Sequence, residues 1–330
     1  MPTDHPEFVH PSIPGGAEQL IGETLEAIRA ADGNIVIGPW LGEVGFEVLY
    51  WIPFLHWLFE EHGIPTADVT VVSRGGAAPW YEGLAGRYVD VFDHITTEDF
   101  RRQTLELWAQ TGGLQKQVAV RSWDEQVLDA TVGETWRDGA LLHPQLLYRL
   151  FRNVWQGALP VREFLDRTVH RPWVEPESTT PLPEEFTAVR FYFRDSFPDT
   201  PENRGLVHDV VERLAERRPV VLLNTGVVVD EHLDAEPPAS ERILRPLAGI
   251  EAARNLAAQS AVVARAKLFA GTYGGLAHLA PFYGVPTLGF ASDPREINPV
   301  HLTVARRTAV IYDTPLAVVT PATYELLEAA

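Results

Sequence analysis

The stretch FAGTYGGLAHLAPFYGVPTLGF, residues 269–290, constrains the fold of this 330-residue chain more than any other. It reads as an apolar strand ending at Ala270, a glycine-rich turn, a short helix through His278, and a second strand entered at Gly284-Val285-Pro286. Gly271, Gly274 and Gly275 permit positive φ and close backbone approach, so the turn is able to present amide N–H groups at the start of the helix, an arrangement suited to anions. The same glycines equally suit an ordinary strand-to-helix turn, and Tyr273 within it suits stacking on a base or packing beneath one.

The segments before it repeat the pattern. TAVRFYFR predicts a strand delivering Arg194 at its carboxyl end, followed by DSFPDTPENRG and a helix over about 205–216. PVVLLNTG predicts the next strand, with Asn224, Thr225 and Gly226 in its exit loop. An acidic, proline-containing excursion follows, then a helix over 250–266 and the strand KLFAG. Alternating strands and helices predict a parallel, doubly wound sheet.

The first half starts with a proline-rich lead-in over 1–16 and a helix over 17–30. NIVIG then opens into GPWLGEVGFEVLYWIPFLHWLFEEHG, a strand, a loop and a long amphipathic helix, the first βα unit of a Rossmann-like domain. Open α/β sheets bind ligands at the carboxyl ends of their strands, which is where this loop lies. Glu43, between glycines, has no packing task and faces the ligand side, whereas Glu47 sits in the first helical turn in a structural role. Trp40 and Gly42 flank Glu43, and Trp40 suits either a sugar-sized pocket or the core. DVTVVSRGG and RYVDVFDHI predict two more strands, the latter with Asp93 near its end. Trp80 and Tyr81 between them suit packing or a ligand. A helix over 97–117 closed by Gly-Gly, a strand VAVRSW and a strongly apolar helix over 141–155 complete this half. The composition shift over 156–186 predicts an interdomain linker packed on the surface by Trp173. The expected organisation is an acceptor domain over 1–160, a linker over 161–186 and a donor domain over 187–330, whose last helix packs back on the first.

Charge narrows the function. The formal net charge of −18 argues against a sequence-independent grip on nucleic acid and against an anionic membrane surface. Only Lys116 and Lys267 are lysines, so nearly all positive charge is arginine, the side chain suited to bidentate phosphate or carboxylate recognition. There is no cysteine, hence no disulfide, thiolate ligand or cysteine nucleophile. No apolar run approaches the roughly 20 residues of a membrane span, and MPTDHPEF lacks the features of a signal peptide, which predicts a cytoplasmic protein.

GTYGGLAHLAPFYGVPTLGF resembles the donor-site signature of GT-B glycosyltransferases, particularly the heptosyltransferase-like group. FYFRDSFPDTPENR is similar to the segment of fucosyltransferase-like GT-B enzymes in which an arginine at a strand end contacts the donor diphosphate. The match covers roughly the C-terminal 140 residues. GPWLGEVGFE resembles the acceptor-side loop of such enzymes by position and character. The resemblance implies an α/β fold of two Rossmann-like doubly wound domains facing across a cleft, with a nucleotide sugar held by the second and an acceptor by the first.

On that expectation Glu43 and Arg194 are catalytic. Asn224, Thr225, Gly226, Thr272, Tyr273, Gly274, Gly275, His278 and Arg204 bind the donor, and Trp40, Gly42, Trp80, Tyr81 and Asp93 the acceptor. Each has a plainer reading: Arg194 as a surface ion pair with Asp195, Asp199 or Glu202, Arg204 as a helix start, and His278 as a core histidine. A departing nucleoside diphosphate needs a metal or fixed positive groups. No DxD stands at a strand end, and Asp230, His232 and Asp234 read as a solvated loop, so no metal or other cofactor is expected. An arginine contact at about 1.5–3 kcal/mol outweighs a helix N-terminus at about 0.3–1. The expected reaction is therefore a metal-independent, inverting transfer with Glu43 as base and Asp93 in reserve. A nucleotide-sugar epimerase or hydrolase and a silent sugar-nucleotide- or glycan-binding module are the alternatives.

Overall fold

The computed structural model describes residues 16–324 apart from positions 32, 111–115, 179, 195 and 231. The lead-in over 1–15, the Gly-Gly expected to close the helix over 97–117, and Asp195 therefore lie outside the described residues.

Two parallel sheets organise the chain. β1 (Ile35–Ile37), β2 (Val69–Ser73), β3 (Arg87–Asp90) and β4 (Ala140–Leu142) form the first, in the order β3-β2-β1-β4. In the second half run β5 (Thr187–Arg190), β6 (Tyr192–Phe193), β7 (Val220–Leu222), β8 (Leu233–Asp234), β9 (Ile243–Leu244), β10 (Leu268–Thr272), β11 (Thr287–Phe290) and β12 (Leu316–Val319). Six of these form a parallel sheet, β12-β11-β10-β5-β7-β9, and β6 pairs antiparallel with β8 as a separate ribbon. The near-continuous apolar runs of β1, β5, β7 and β10 suit strands covered on both faces.

Helices fill the crossovers. α1 (Gly16–Ala30) precedes β1 and buries Ile21, Leu25 and Ile28. α2 (Val44–Phe46), a wider π-helical stretch over Glu47–Trp51 and α3 (Ile52–His62) follow one another without a gap and form the long helix expected between β1 and β2. α4 (Thr97–Gln110) and α5 (Ser122–Val132) separate β3 from β4. α6 (Gln145–Trp155) and α7 (Arg162–Leu165) follow β4. α8 (Pro201–Arg217) starts at Thr200, whose hydroxyl accepts the Asn203 N–H, and so opens a turn earlier than the glycine at 205 suggests. α9 (Asn255–Ala264), α10 (Gly275–Leu279) and α11 (Pro299–Ile311) complete the set.

One strand lies elsewhere than the sequence suggests. VAVRSW is irregular chain leading into α5, and the fourth strand is Ala140–Leu142, which reads from sequence as the edge of the helix over 141–155. The cause is tertiary. Gly139 passes so close to Asn34 that an added Cβ would lie 2.2 Å from its carbonyl oxygen, and this approach docks the apolar triplet beside β1. Three apolar residues carry no periodicity that separates strand from helix.

Strand order reverses once in each sheet, between β1 and β4 and between β5 and β10, and loops after the carboxyl ends of these strands flank the two crevices. The sequence suggests two domains facing across a cleft. In the structure one apolar cluster runs without a break from α1 and β1 through α3 and α6 to α10 and α11. Trp173, in the linker segment, stacks on Trp80 at 5.7 Å and on Phe282 at 4.4 Å between ring centres. The Gly75 carbonyl after β2 accepts the first amides of α9, from Leu256 and Ala257. α11 returns to the first half, where the Asn298 amide donates to the Trp155 carbonyl and His301 hydrogen-bonds Tyr50.

Candidate active site

The loop after β1 is shaped from beneath. The Gln117 side chain donates to the Pro39 carbonyl at 2.8 Å and accepts the Leu41 N–H at 2.9 Å, while Asp124 fixes its amide at 2.8 Å. Glu43 precedes α2 in extended conformation. Its carboxylate caps no helix amide and is half-buried. The charge of Glu43 acts on Lys116, on Tyr148 of α6 and on Tyr192 of β6, which places one carboxylate among groups from three other parts of the chain. Two residues on, Gly45 lies against the second half: a Cβ there would sit 2.9 Å from His278 Nδ1 and 3.4 Å from the Gly275 amide nitrogen. The loop at the first switch point thus rests on the glycine turn at the second.

That turn is built around Tyr192. The Thr272 hydroxyl accepts the Tyr192 N–H at 2.9 Å and donates to the Tyr192 carbonyl at 2.8 Å, clamping the end of β10 to the start of β6. With its hydroxyl so engaged, Thr272 is a structural clamp rather than a phosphate donor. Gly274 has φ of 149°, and a Cβ on it would lie 2.6 Å from the Tyr192 hydroxyl, so the phenol occupies the space a side chain would take. Burial pushes that phenol up to about 12, Arg190 opposing and Glu43 adding to the shift.

Arg190, not Arg194, is the residue at the end of β5, and it pairs with Asp234 at 3.2 Å. Arg194 lies beyond β6, its Nη1 3.3 Å from His232 Nε2. His232 Nδ1 in turn meets Asp230 at 2.6 Å. With Nδ1–H donated to Asp230, Nε2 accepts from Arg194, and the chain Asp230–His232–Arg194 orients the guanidinium. Burial would raise the Asp230 carboxyl, but the hydrogen bonds it accepts from His232, with the charge of Arg74 adding to them, hold it well below the usual range. These three side chains of the acidic excursion are half-buried and partnered rather than solvated: Asp234 pairs with Arg190, His232 with Arg194, and Asp230 with His232. Among the described residues no group of three or more acids and histidines is arranged to hold a metal ion.

Beneath the Glu43 loop lies a sealed polar network. Glu47 opens the π-helical stretch with no exposed surface. Ser73 at 2.6 Å and Tyr81 at 2.7 Å both donate to its Oε1, and Oε2 has no partner. Burial pushes its carboxyl up to about 7 against the pull of Arg74 and the two hydroxyls. Arg74 donates to the Gly42 carbonyl, tying the loop to the end of β2. Asp90 accepts the amides of Gly75, Gly76 and Phe92 and the Tyr88 hydroxyl.

Several predicted residues fall elsewhere. Trp40 is wholly buried and stacks on Trp51, Trp80 donates its indole N–H to Ser260 at 3.0 Å, and Tyr81 serves Glu47. All three are buried and belong to the interior rather than to an acceptor pocket, Trp40 against Trp51, Trp80 against Trp173 and Tyr81 beside Tyr88. Asp93 lines a different groove of about 520 Å³ with Asp90, His94 and Arg254, to which Glu43 does not contribute. Asn224 donates to the Ala235 carbonyl and Thr225 to Asn255, fastening the loop after β7, and Gly226 beside them is exposed. Arg204 lies in the first turn of α8, its plainer reading, and forms an exposed pair with Asp199. His278 is buried with neither ring nitrogen partnered, and burial pulls it down to about 4. Tyr273 packs edge-on against it at 4.9 Å. The residues brought together are Glu43, Arg194, Gly274, Gly275 and His278, with Lys116, Arg190, Tyr192 and Asp230 added by the fold. Lys116 has a sequence signal, as one of two lysines. Tyr192 and Arg190 have none beyond adjacency to Arg194.

No family model matches the chain, and no curated protein matches it in sequence. Among solved structures it is similar to E. coli heptosyltransferase WaaC with ADP, at 12% identity and a TM-score of 0.43 over 89% of this chain and 99% of that one. It is also similar to the UDP-GlcNAc 2-epimerase from Methanocaldococcus jannaschii, at 9% identity and a TM-score of 0.35, covering 89% and 90% of the two chains. A third likeness is to the glycosyl transferase family 9 protein from Veillonella parvula, at 14% identity and a TM-score of 0.34 over 78% and 81%. The α/β fold of two parallel sheets stands on its own strand orders.

Proposed function

We propose that the chain is a glycosyltransferase that moves a sugar from a nucleotide-sugar donor to an acceptor hydroxyl by an inverting, metal-independent route. The observation that carries this reading is the meeting of the two switch-point loops: a loop carboxylate, Glu43, on one side, and the Tyr192–Gly274 turn with an oriented arginine, Arg194, on the other. Glu43 takes the proton of the acceptor hydroxyl as its oxygen bonds to the anomeric carbon. The bond from that carbon to the diphosphate oxygen breaks on the opposite face, and the electron pair leaves with the diphosphate. Arg194 meets the charge that develops there, held in place by His232 and Asp230. Gly274 and Gly275 supply close backbone approach, and His278 is a neutral neighbour of the turn. Thr272 acts only through the strand it clamps.

Thermal-shift measurement against UDP, GDP, ADP, CMP and dTDP sugars tests the donor half of this reading. A ligand at 100 times its dissociation constant adds about 2.7 kcal/mol of stability. Stabilisation by one base class is the expected outcome. A melting temperature unmoved by every donor would remove the nucleotide-sugar assignment.

A further inference from the structure

The two lysines of this chain sit in opposite environments. Lys267 is a surface residue, 52% exposed, with Glu185 at 3.6 Å. Lys116 is half-buried, its ammonium 4.7 Å from the centre of the Phe46 ring and 5.8 Å from that of Trp155. Aromatic faces stabilise a cation but accept none of its hydrogen bonds as well as oxygen does. An ammonium carries three N–H donors, and among the described residues those of Lys116 meet no carboxylate or carbonyl acceptor. Phe46, which holds it, follows Glu43 by three residues, so ammonium and carboxylate share one wall of the site, and the charge of Glu43 acts on Lys116 from beyond ion-pair distance. Nearby His301 offers no competing charge, since burial, with Lys116 and His278 adding to it, pulls its ring down to about 3 and keeps it neutral.

An ammonium partly withdrawn from water, with no oxygen acceptor for its donors among the described residues, is better matched to an oxyanion than to a neutral hydroxyl. We infer that Lys116 binds a carboxylate or phosphate carried by the substrate whose hydroxyl meets Glu43, so that the acceptor is an anionic sugar rather than a neutral glycan. This rests on the reading of Glu43 as the acceptor-side base. Lys116 also offsets the repulsion that Glu43 alone would exert on such a substrate, which makes it a specificity-determining residue.

Having only two lysines makes the test direct. Reductive ¹³C-methylation labels Lys116, Lys267 and the N-terminus, and loss of one resonance in Lys116→Arg identifies the Lys116 signal. The labelled protein is titrated with glucuronate, with glucose 6-phosphate and with glucose. The Lys116 resonance is expected to move saturably with an anionic sugar and not with glucose, while Lys267 stays still. Whichever anion saturates at lower concentration distinguishes carboxylate from phosphate. In unlabelled protein, Lys116→Met is expected to weaken binding of that anion roughly ten- to hundredfold by calorimetry. A Lys116 signal unmoved by both anions, or moved equally by glucose, overturns the inference. If nucleotide sugars still stabilise the protein in that case, the donor reading stands and only the anionic acceptor falls. A Lys116 response to anions with no stabilisation by any nucleotide sugar supports the anion site and sinks glycosyl transfer.

Discussion

Glu43 and Glu47 are one helical turn apart and occupy opposite surroundings, the first on a loop reached by solvent, the second sealed beneath it. Their behaviour on neutralisation separates the two. General-base assistance contributes about 10²–10⁴-fold, so Glu43→Gln is expected to lower turnover by that factor with donor affinity unchanged, read from steady-state rates and donor binding. Undiminished turnover in that variant removes Glu43 from catalysis. Glu47 makes its prediction in stability. Its carboxyl rises from 4.5 in the unfolded chain to about 7 when buried, so the folded state holds the extra proton between those values. Its contribution is complete below pH 4.5 and is lost as pH rises to 7, on the order of 3 kcal/mol. Glu47→Gln should therefore gain on the wild type in denaturant melts as pH is raised from 5 to 8. A stability difference independent of pH would show the carboxyl to be ordinary.

At the scale of elements, the glycine turn is where the sequence was both most informative and least complete. Strand, turn, helix and strand over 269–290 are legible because apolar runs alternate with glycine and proline, and the strand extends only two residues beyond Ala270. The purpose of the glycines was not legible. Gly274 makes room for the Tyr192 phenol and Gly45 lies on His278, and neither partner is near in sequence. Gly274→Ala, which must hold a side chain at φ of 149° against that hydroxyl, is expected to destabilise by about 1–3 kcal/mol in a denaturant melt. Combining it with Tyr192→Phe should restore part of the loss, and no recovery would place the strain in the backbone alone. Of the candidate site, Glu43 and Arg194 were readable from their positions after strands. The orienting pair His232–Asp230 was hidden because an acidic, proline-containing stretch looks solvated until the antiparallel pairing of β6 with β8 turns it inward. Trp40, Trp80 and Tyr81 misled for a related reason, as a large aromatic beside a loop signals a pocket or a core equally well.

Across the whole molecule, burial holds four histidines neutral, His56, His170 and His278 at about 4 and His301 at about 3. A histidine depressed in this way adds stability that is complete above its unfolded value of 6.5 and is lost as pH falls through the folded value. Each shift corresponds to on the order of 3 kcal/mol, a large share of the total stability of a typical domain, about 5–15 kcal/mol. The melting temperature is expected to fall steeply between pH 6.5 and 4, followed by circular dichroism. A melting temperature steady across that window would mean that the rings are hydrated. Because His278 and His301 sit between the two sheets, acid should loosen their junction and not merely the surface. That junction has one further consequence. A chain whose two sheets share an uninterrupted apolar cluster cannot melt one half and keep the other, so its heat-capacity trace should show a single endotherm with equal calorimetric and van't Hoff enthalpies, and neither half should survive alone when the chain is severed near residue 186.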